Sequence, residues 1–176
     1  MERPPYTAAI DRLDLLDRLA DFDPVTIGTP PLGIATETSD IDVACFSENL
    51  ERFRTFAVRE FGDIEGFAAR TSVHAGMQAI VVSFQSSGWE IELFCQALRT
   101  AEQWGVRHFR IEKRLMEIEP LLGNEVLNLK RLGLKTEPAF AQILQLPGNP
   151  YEAMLDLENQ TDEELRKLIF NRISEP

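Results

Sequence analysis

The first hundred residues of the chain contain hydrophobic patterns of the helical kind and of the strand kind, and the helical patterns occur at two places. Between Thr7 and Asp21, apolar residues recur every third position, which predicts an amphipathic helix. These residues are Ile10, Leu13, Leu16 and Leu19. A second amphipathic helix is predicted from Ser47, as its N-cap, to Phe61, because apolar side chains again fall on one side. These are Leu50, Phe53, Ala57 and Phe61.

A short apolar segment and a proline pair lie between these two helices. Val25–Ile27 predicts a strand that leads directly into Gly28 and Thr29. Pro30 and Pro31 follow, and proline cannot donate the backbone hydrogen bond that a helix interior requires. The proline pair therefore predicts an extended or turning loop in place of a helix.

Residues 40–45 alternate between polar or small side chains and apolar ones. This period of two predicts a strand with Asp40 and Asp42 on one face. Further strands are predicted over Gly66–His74, Met77–Gln85 and Trp89–Gln96. A turn at Ala75–Gly76 and a tight turn at Ser86–Gly88 separate these strands.

Helical patterns dominate the chain from Thr100 onward. The predicted helices are Ala101–Glu119, Asn124–Gly133, Pro138–Leu146, Tyr151–Leu157 and Asp162–Ile173. Thr161, followed three residues later by Glu164, forms a capping-box pattern that predicts the start of the last helix. The sequence therefore predicts an α+β fold. It comprises a sheet with flanking helices over residues 1–98 and a helical lobe over residues 99–176, packed as a single compact unit.

Composition narrows the classes of partner. The chain has 18 Lys and Arg against 29 Asp and Glu, which is a formal net charge of −11. Because nucleic-acid binding requires clustered cations, this charge argues against an enzyme that tracks long nucleic acid. It also argues against a polybasic membrane binder, and no apolar run reaches the roughly 18 residues of a membrane span.

The cysteines and the N-terminus bear on the cellular compartment. Cys45 and Cys95 lie in strand-like segments, where we expect buried free thiols of a reducing environment. The first residues, Met1–Tyr6, contain no apolar signal segment. We therefore expect a cytoplasmic protein.

Four carboxylates fall on two of the predicted strands. Asp40 and Asp42 share one strand face, and Glu90 and Glu92 share a face of a later strand. Either pair alone is typical of a solvated strand surface. If the two strands are neighbours, three or four carboxylates meet on one patch, where they raise one another's pKa. A hard divalent cation, Mg²⁺ or Mn²⁺, removes that repulsion because it prefers oxygen ligands.

The spacing of these residues carries a family resemblance. Gly28 and Thr29, a spacer of ten residues, and then Asp-Ile-Asp-Val over residues 40–43 resemble the nucleotidyltransferase signature. That superfamily includes the polymerase-beta-like and antibiotic nucleotidyltransferases. The resemblance implies a mixed sheet with a third carboxylate on a later strand, for which Glu92 is the best match and Glu90 the alternative.

A closer resemblance covers nearly the whole chain. The chain is similar to an uncharacterised bacterial family of nucleotidyltransferase-like proteins, a domain of unknown function. The matching stretches are Gly28–Ile34, Ser39–Val43, Glu90–Phe94, Arg107–His108, Leu134–Phe140 and Gly148–Tyr151.

The resemblance implies roles for individual residues. Asp40, Asp42 and Glu92 would hold Mg²⁺ or Mn²⁺ and carry catalysis. The nucleotide-binding residues would be Gly28, Thr29, Ser39, Arg107 and Lys135. The alternatives are a surface role for Arg107 and a helix-dipole role for Lys135. We expect a structural role for the lone His108.

The resulting hypothesis is an enzyme that moves a nucleoside monophosphate from a nucleoside triphosphate, such as ATP, to a hydroxyl group of a small molecule or protein. There are two alternatives. One is a non-catalytic nucleotide-binding or regulatory module that keeps the fold, and the other is a phosphohydrolase that uses the same metal site with water as the acceptor. The intact carboxylates of Asp40, Asp42 and Glu92 favour the catalytic hypotheses. Neither long nucleic acid nor a membrane is expected as a partner.

Overall fold

The computed structural model of the chain describes residues 3–171. Its strands form one five-stranded sheet in the order β1-β2-β5-β4-β3. The strands are β1 Val25–Ile27, β2 Ile41–Phe46, β3 Ala68–His74, β4 Met77–Ser86 and β5 Trp89–Gln96. Strands β2 and β5 pair in parallel, whereas the other neighbours pair antiparallel. The mixed sheet of an α+β fold is therefore confirmed.

Helices precede, interrupt and follow the sheet. They are α1 Tyr6–Arg12, α2 Leu15–Arg18, α3 Thr29–Leu32, α4 Leu50–Phe61, α5 Trp104–Ile118, α6 Leu121–Arg131, α7 Thr136–Ile143, α8 Pro150–Asp156 and α9 Asp162–Asn171. Short 3₁₀ turns occur at Ala20–Phe22, Thr100–Glu102 and Leu157–Asn159. In the part of the chain that the structure describes, no helix combines the length and apolarity needed to cross a membrane.

The continuous first helix predicted over residues 7–21 is wrong. Asp14 takes a left-handed backbone conformation with φ 47°, which separates α1 from α2. The break changes which apolar positions are buried, so Ile10 is followed in the core by Leu15 and Leu19. Leu16, which the pattern placed on the apolar face, is 37% exposed.

The loop predicted at the proline pair is also wrong, because Thr29–Leu32 forms the short helix α3. Pro30 and Pro31 fall within its single turn. The first N–H groups of a helix have no intrahelical acceptor, and the fixed φ of proline suits that turn. The missing donors therefore cost no hydrogen bond at this position.

Helix α4 packs against the sheet through the predicted apolar residues. Phe53, Ala57 and Phe61 are fully buried, and the Phe61 ring stacks on Phe84 of β4 with centroids 5.1 Å apart. The predicted N-cap is wrong by two residues, since the Asn49 side chain accepts a hydrogen bond from the N–H of Arg52 at 3.1 Å.

Ser47, the predicted cap, has a different local role. Its hydroxyl donates to the Asn49 carbonyl at 2.7 Å. The hydroxyl therefore bonds the residue that caps the helix, and the helix begins where Asn49 supplies the acceptor.

The chain divides into two compact units. The sheet unit comprises Met1–Pro31 and Ser39–Val106, and the helical unit comprises Leu32–Thr38 and Arg107–Pro176. The predicted division lies at residues 98 and 99. The structure adds the segment Leu32–Thr38 to the helical unit because Leu32 and Ile34 join its apolar core.

The core of the helical unit is formed by the inward faces of its helices. Its largest buried members include Phe140, Leu115, Met154 and Ile169. The predicted capping box is confirmed: Thr161 N–H donates to Glu164 Oε2 at 2.7 Å, and Glu164 N–H donates to Thr161 Oγ1 at 3.3 Å. The predicted end of this last helix at Ile173 lies outside the described residues.

Candidate active site

Parallel pairing of β2 with β5 brings the predicted carboxylates to one part of the sheet. Asp42 of β2 lies in register with Glu92 of β5, and Ile27 of β1 pairs with Asp42 on its other side. The strand adjacency on which the predicted patch depended is therefore present. Asp40 precedes β2 by one residue, and Glu90 lies two residues before Glu92 on β5.

Gly28 lies against the Asp42 carboxylate. Its φ of +80° lies in the left-handed region that favours glycine. A Cβ atom at this position would lie 2.5 Å from Asp42 Oδ2, which is far inside van der Waals contact. Gly28 therefore serves both the turn after β1 and the close approach of the carboxylate.

The residues after Gly28 and before β2 are joined by side-chain hydrogen bonds. Thr29 Oγ1 donates to Ser39 Oγ at 3.1 Å, so two of the predicted nucleotide-binding residues contact each other. The Ser39 carbonyl accepts a hydrogen bond from Arg3 Nη1 at 2.8 Å. The segment that leads into Asp40 is thus bonded to two other parts of the sheet unit.

Arg3 belongs to an N-terminal contact that the sequence interpretation missed. Its guanidinium lies 3.8 Å from the centroid of the Trp89 ring. The Trp89 indole N–H donates to the Pro4 carbonyl at 2.9 Å, which fixes the segment against the start of β5. A lone arginine near a chain terminus carries no sequence signal for such a role.

Glu92 is the half-buried member of the patch. Burial raises the pKa of its carboxyl group, and the negative charges of Asp40 and Glu90 raise that pKa further. Arg70 opposes this shift, because its Nη2 donates to Glu92 Oε2 at 3.3 Å. Glu90 itself is exposed. The pKa of Glu92 is therefore raised mainly by burial, to which the two acidic neighbours add.

Arg70 is the second cation that the sequence interpretation missed. It lies on β3, which is separated from β5 by β4 in the strand order. Its proximity to Glu92 depends on the order of the strands, which no local pattern contains. The signal available in the sequence was only an arginine in an alternating strand.

The donor chemistry of the patch fits a hard divalent cation, but the side chains are not gathered around one point. Among residues 3–171, no group of three or more His, Cys, Asp or Glu side chains is close enough to hold a metal ion. The oxygens of Asp42 and Glu92 occupy paired strand positions, and such oxygens are the ligands that Mg²⁺ prefers. Glu92 Oε2, however, accepts a hydrogen bond from Arg70. The ligand set Asp40, Asp42 and Glu92 stays a prediction.

The other two predicted nucleotide-binding residues belong to the helical unit. Arg107 binds Glu158 Oε2 through Nε at 2.9 Å and through Nη2 at 2.5 Å, and this hydrogen bonding raises its pKa. Lys135 is exposed and occupies the N-cap position of α7. A role for either residue in nucleotide binding stays a prediction.

His108 is buried among helices and carries structural contacts. Its Nε2 lies 2.8 Å from the Tyr151 carbonyl, and its Nδ1 lies 3.4 Å from Glu137 Oε1. One turn further along α5, the pKa of Glu112 is raised to about 8, mainly by burial and also by Glu137, against an opposing effect of Lys130. This buried acid was not singled out from the sequence, where it stands next to the apolar Ile111.

The sequence match identifies the family. Residues 8–157 match the family described as domain of unknown function DUF4269, so the match spans most of the chain. The chain belongs to this family. No functionally curated protein matches the sequence.

Solved structures show where the fold of this DUF4269 chain recurs. It is similar to the Cid1 poly(U) polymerase with MgGTP bound, with a TM-score of 0.52 and 18% sequence identity. That match covers 85% of this chain and 47% of the polymerase chain, so this chain spans less than half of the polymerase's length. It is also similar to the GLD-2/RNP-8 complex, with a TM-score of 0.55 and 9% identity over 94% of this chain and 75% of that chain. These similarities establish a nucleotidyltransferase-like fold.

Proposed function

We propose that the chain is a metal-dependent nucleotidyltransferase that moves a nucleoside monophosphate from a nucleoside triphosphate to a hydroxyl group. The observation that carries this proposal is the strand register that sets Asp42 opposite Glu92, with Gly28 against the Asp42 carboxylate. Such an arrangement brings two carboxylates, whose oxygens are the ligands that Mg²⁺ prefers, beside a glycine turn. The nucleotidyltransferase-like fold supports the same function.

Individual residues would divide the work of binding. Asp40, Asp42 and Glu92 would hold Mg²⁺ or Mn²⁺, with Glu90 as the alternative third ligand. When bound, the metal would activate the attacking hydroxyl group and neutralise the leaving pyrophosphate.

The triphosphate would be held by the residues that the family resemblance assigns to nucleotide binding. In the sheet unit, Thr29 and Ser39 have hydroxyl groups beside the Gly28 turn, where they can donate to phosphate oxygens. A contribution of positive charge by Arg107 and Lys135 is a separate proposal, which rests on the family resemblance alone. For Arg107 this requires the guanidinium to share or leave Glu158.

The acceptor we propose is a small molecule or a protein side chain. Cid1 is described as a poly(U) polymerase, and one of its structures contains the short product ApU. This chain has a net charge of −11, which opposes binding to a long polyanion. A nucleotide that arrives as its magnesium complex is a smaller anionic ligand.

The buried free thiols of Cys45 and Cys95 accord with a cytoplasmic site of action.

Nucleotide binding is the first experimental test. Thermal unfolding is measured with ATP, GTP, CTP and UTP, each with and without Mg²⁺ or Mn²⁺. We expect metal-dependent stabilisation, because a ligand that binds only the folded state raises its melting temperature. The double variant Asp40→Ala, Asp42→Ala should lose the shift, whereas the control Asp11→Ala, Asp17→Ala removes two exposed acids of the same unit and should keep it. An unchanged shift in the first variant would contradict the site.

A second candidate function is a non-catalytic nucleotide-binding module. It is favoured by the finding that no three potential ligands converge on one point among the described residues. A nucleoside triphosphate labelled at the α-phosphate, incubated with cell extract, separates the candidates. Label retained on an acceptor supports transfer, free labelled monophosphate supports hydrolysis, and unchanged triphosphate despite measured binding supports the module.

A further inference from the structure

We propose that Arg70 is a positioning residue that holds the Glu92 carboxylate and competes with the divalent cation for it. The inference rests on the proposed function, because it concerns the same carboxylates. It adds a residue on β3 that neither the nucleotidyltransferase signature nor the strand pattern assigns to the site. When Mg²⁺ or Mn²⁺ binds, it would then replace the Arg70 guanidinium at the Glu92 carboxylate.

The sheet brings Arg70 to Glu92 across an intervening strand. Glu92 pairs with Ser83 of β4, whereas Arg70 pairs with Val81 of the same strand. The guanidinium therefore reaches diagonally over β4 to bring Nη2 within 3.3 Å of Glu92 Oε2. Ser83 is small, so the path over β4 is not blocked by a bulky side chain.

Charge explains why an arginine belongs at this point. Asp40 and Glu90 act on Glu92 electrostatically, and Asp42 lies opposite it in register. Negative charges this close repel one another unless a cation intervenes. Arg70 supplies one such charge, at an oxygen that a divalent cation would also need. The same oxygen does not serve a planar guanidinium and a metal ion in the same geometry.

The exposure of the two side chains makes the exchange feasible. The Arg70 side chain is 58% exposed and that of Glu92 is 29% exposed. Arg70 can therefore move into solvent, and the incoming cation would then offset the charge of the half-buried Glu92 carboxylate. An ion pair of this exposure contributes little to the free energy of folding. The loss of Arg70 should therefore change the affinity for the cation and leave the stability of the fold nearly unchanged.

Mn²⁺ binding in the absence of nucleotide tests the proposal. The affinity is measured by calorimetric titration of the full chain with MnCl₂, and checked by the electron paramagnetic resonance signal of free Mn²⁺. We expect Arg70→Gln to bind Mn²⁺ roughly twofold to fivefold more tightly, as expected for loss of an exposed ion pair that opposes binding. Arg70→Lys keeps the charge and should restore an affinity close to that of the parent.

A matched control separates the contact from general charge. Arg54 also contacts β3, where its Nη2 donates to Thr71 Oγ1 at 2.7 Å, and Thr71 adjoins Arg70 on the opposite face of the strand. Arg54→Gln removes the same charge without touching Glu92, and should leave Mn²⁺ affinity nearly unchanged. In a Glu92→Gln background, Arg70→Gln should have no further effect on that affinity.

The outcomes distinguish this inference from the proposed function. If Mn²⁺ binds the parent and Asp40→Ala, Asp42→Ala abolishes binding, but Arg70→Gln does not tighten it, only the role of Arg70 is wrong. Weaker Mn²⁺ binding by Arg70→Gln also overturns that role. If the parent shows no Mn²⁺ binding in the absence of nucleotide, the role of Arg70 is overturned, whereas the proposed function is decided by the nucleotide-dependent thermal shift. Circular dichroism melts confirm that each variant is folded.

Discussion

Gly28 shows how one residue without a side chain shapes the candidate site. The nucleotidyltransferase resemblance implies that Gly28 contacts the nucleotide, and a glycine allows other groups to approach its backbone closely. The structure shows that the Asp42 carboxylate already makes such an approach, with Oδ2 at 2.5 Å from where a Cβ would lie. Any larger residue would therefore have to displace Asp42 as well as adopt a φ of +80°.

Substitution of Gly28 should affect both stability and ligand binding. We expect Gly28→Ala to lower the free energy of unfolding by about 1–3 kcal/mol, because a left-handed conformation is strained for alanine. It should also weaken Mn²⁺ binding, because the new methyl group displaces the Asp42 carboxylate. Urea unfolding and MnCl₂ titration measure the two effects.

Gly33 provides a matched control for the backbone effect. Its φ is +74°, and no atom lies within 4 Å of where its Cβ would be. Gly33→Ala should lose a similar amount of stability and keep its Mn²⁺ affinity. Equal losses of affinity in both variants would contradict the proposed contact between Gly28 and Asp42.

At the residue scale, the sequence was sufficient for groups whose spacing is local. Gly28, Asp40 and Asp42 could be singled out because they lie within fifteen residues of one another. The strand pattern placed both Glu90 and Glu92 in the patch, and the family resemblance chose Glu92 between them. Arg70 could not be found at all, since its contact with Glu92 spans 22 residues of sequence and crosses a strand.

At the scale of elements, helix boundaries were predictable where nearby side chains fix them and were missed elsewhere. The capping box at Thr161 was predictable because its two side chains act within three residues. The break at Asp14 was not, since a local left-handed conformation decided it against the apolar period. The helix at Pro30 and Pro31 was missed because the prolines occupy its single turn, where they cost nothing.

One buried carboxyl group interacts with residues of two other helices in the helical unit. Glu112 of α5 is 4% exposed and interacts electrostatically with Glu137 of α7 and Lys130 of α6. Burial raises its pKa to about 8 from an ordinary value of 4.5. The carboxyl group is therefore largely protonated in the folded protein at neutral pH, while it is ionised in the unfolded chain.

This pKa difference predicts how stability depends on pH. The folded state binds more protons than the unfolded state between about pH 4.5 and pH 8, so stability from Glu112 is lost as pH rises through that window. We expect Glu112→Gln, which resembles the protonated form, to flatten that decline. The free energy of unfolding of the variant, relative to that of the parent, should therefore increase by a few kcal/mol as the pH is raised from about 5 to about 9. Urea unfolding across this range gives the comparison.

Glu117 offers the control on the same helix. It is exposed and lies 3.9 Å from Lys113. Glu117→Gln should retain the pH dependence of the parent. If Glu112→Gln retains it too, the raised pKa of Glu112 does not contribute to the stability of the folded chain.

The whole molecule carries an excess of acid that its ion pairs do not remove. With 29 acidic and 18 basic residues, most of the surface charge is negative. Exposed ion pairs such as Lys167 with Glu163 contribute little to stability. Self-repulsion should therefore be the main effect of charge on folding.

Monovalent salt should accordingly stabilise the protein. A rise in NaCl from about 0.01 M to about 0.15 M shortens the screening length from about 30 Å to about 8 Å. We expect the melting temperature to rise by about 2–4 °C for each kcal/mol of repulsion that is screened. The double variant Glu48→Gln, Glu65→Gln should show a smaller salt effect. A melting temperature that falls with salt would mean that favourable ion pairs dominate.

The sequence by itself determined the α+β class, most strands, the helical second half and the Asp-Ile-Asp segment, because each depends on side chains a few residues apart. Only the tertiary structure decided that β2 lies beside β5, that Asp42 faces Glu92, and that Arg70 reaches across β4. It also decided that Leu32–Thr38 belongs with the helical unit. The physical reason is that strand order and side-chain contacts between distant segments depend on packing of the whole chain, which no local period encodes.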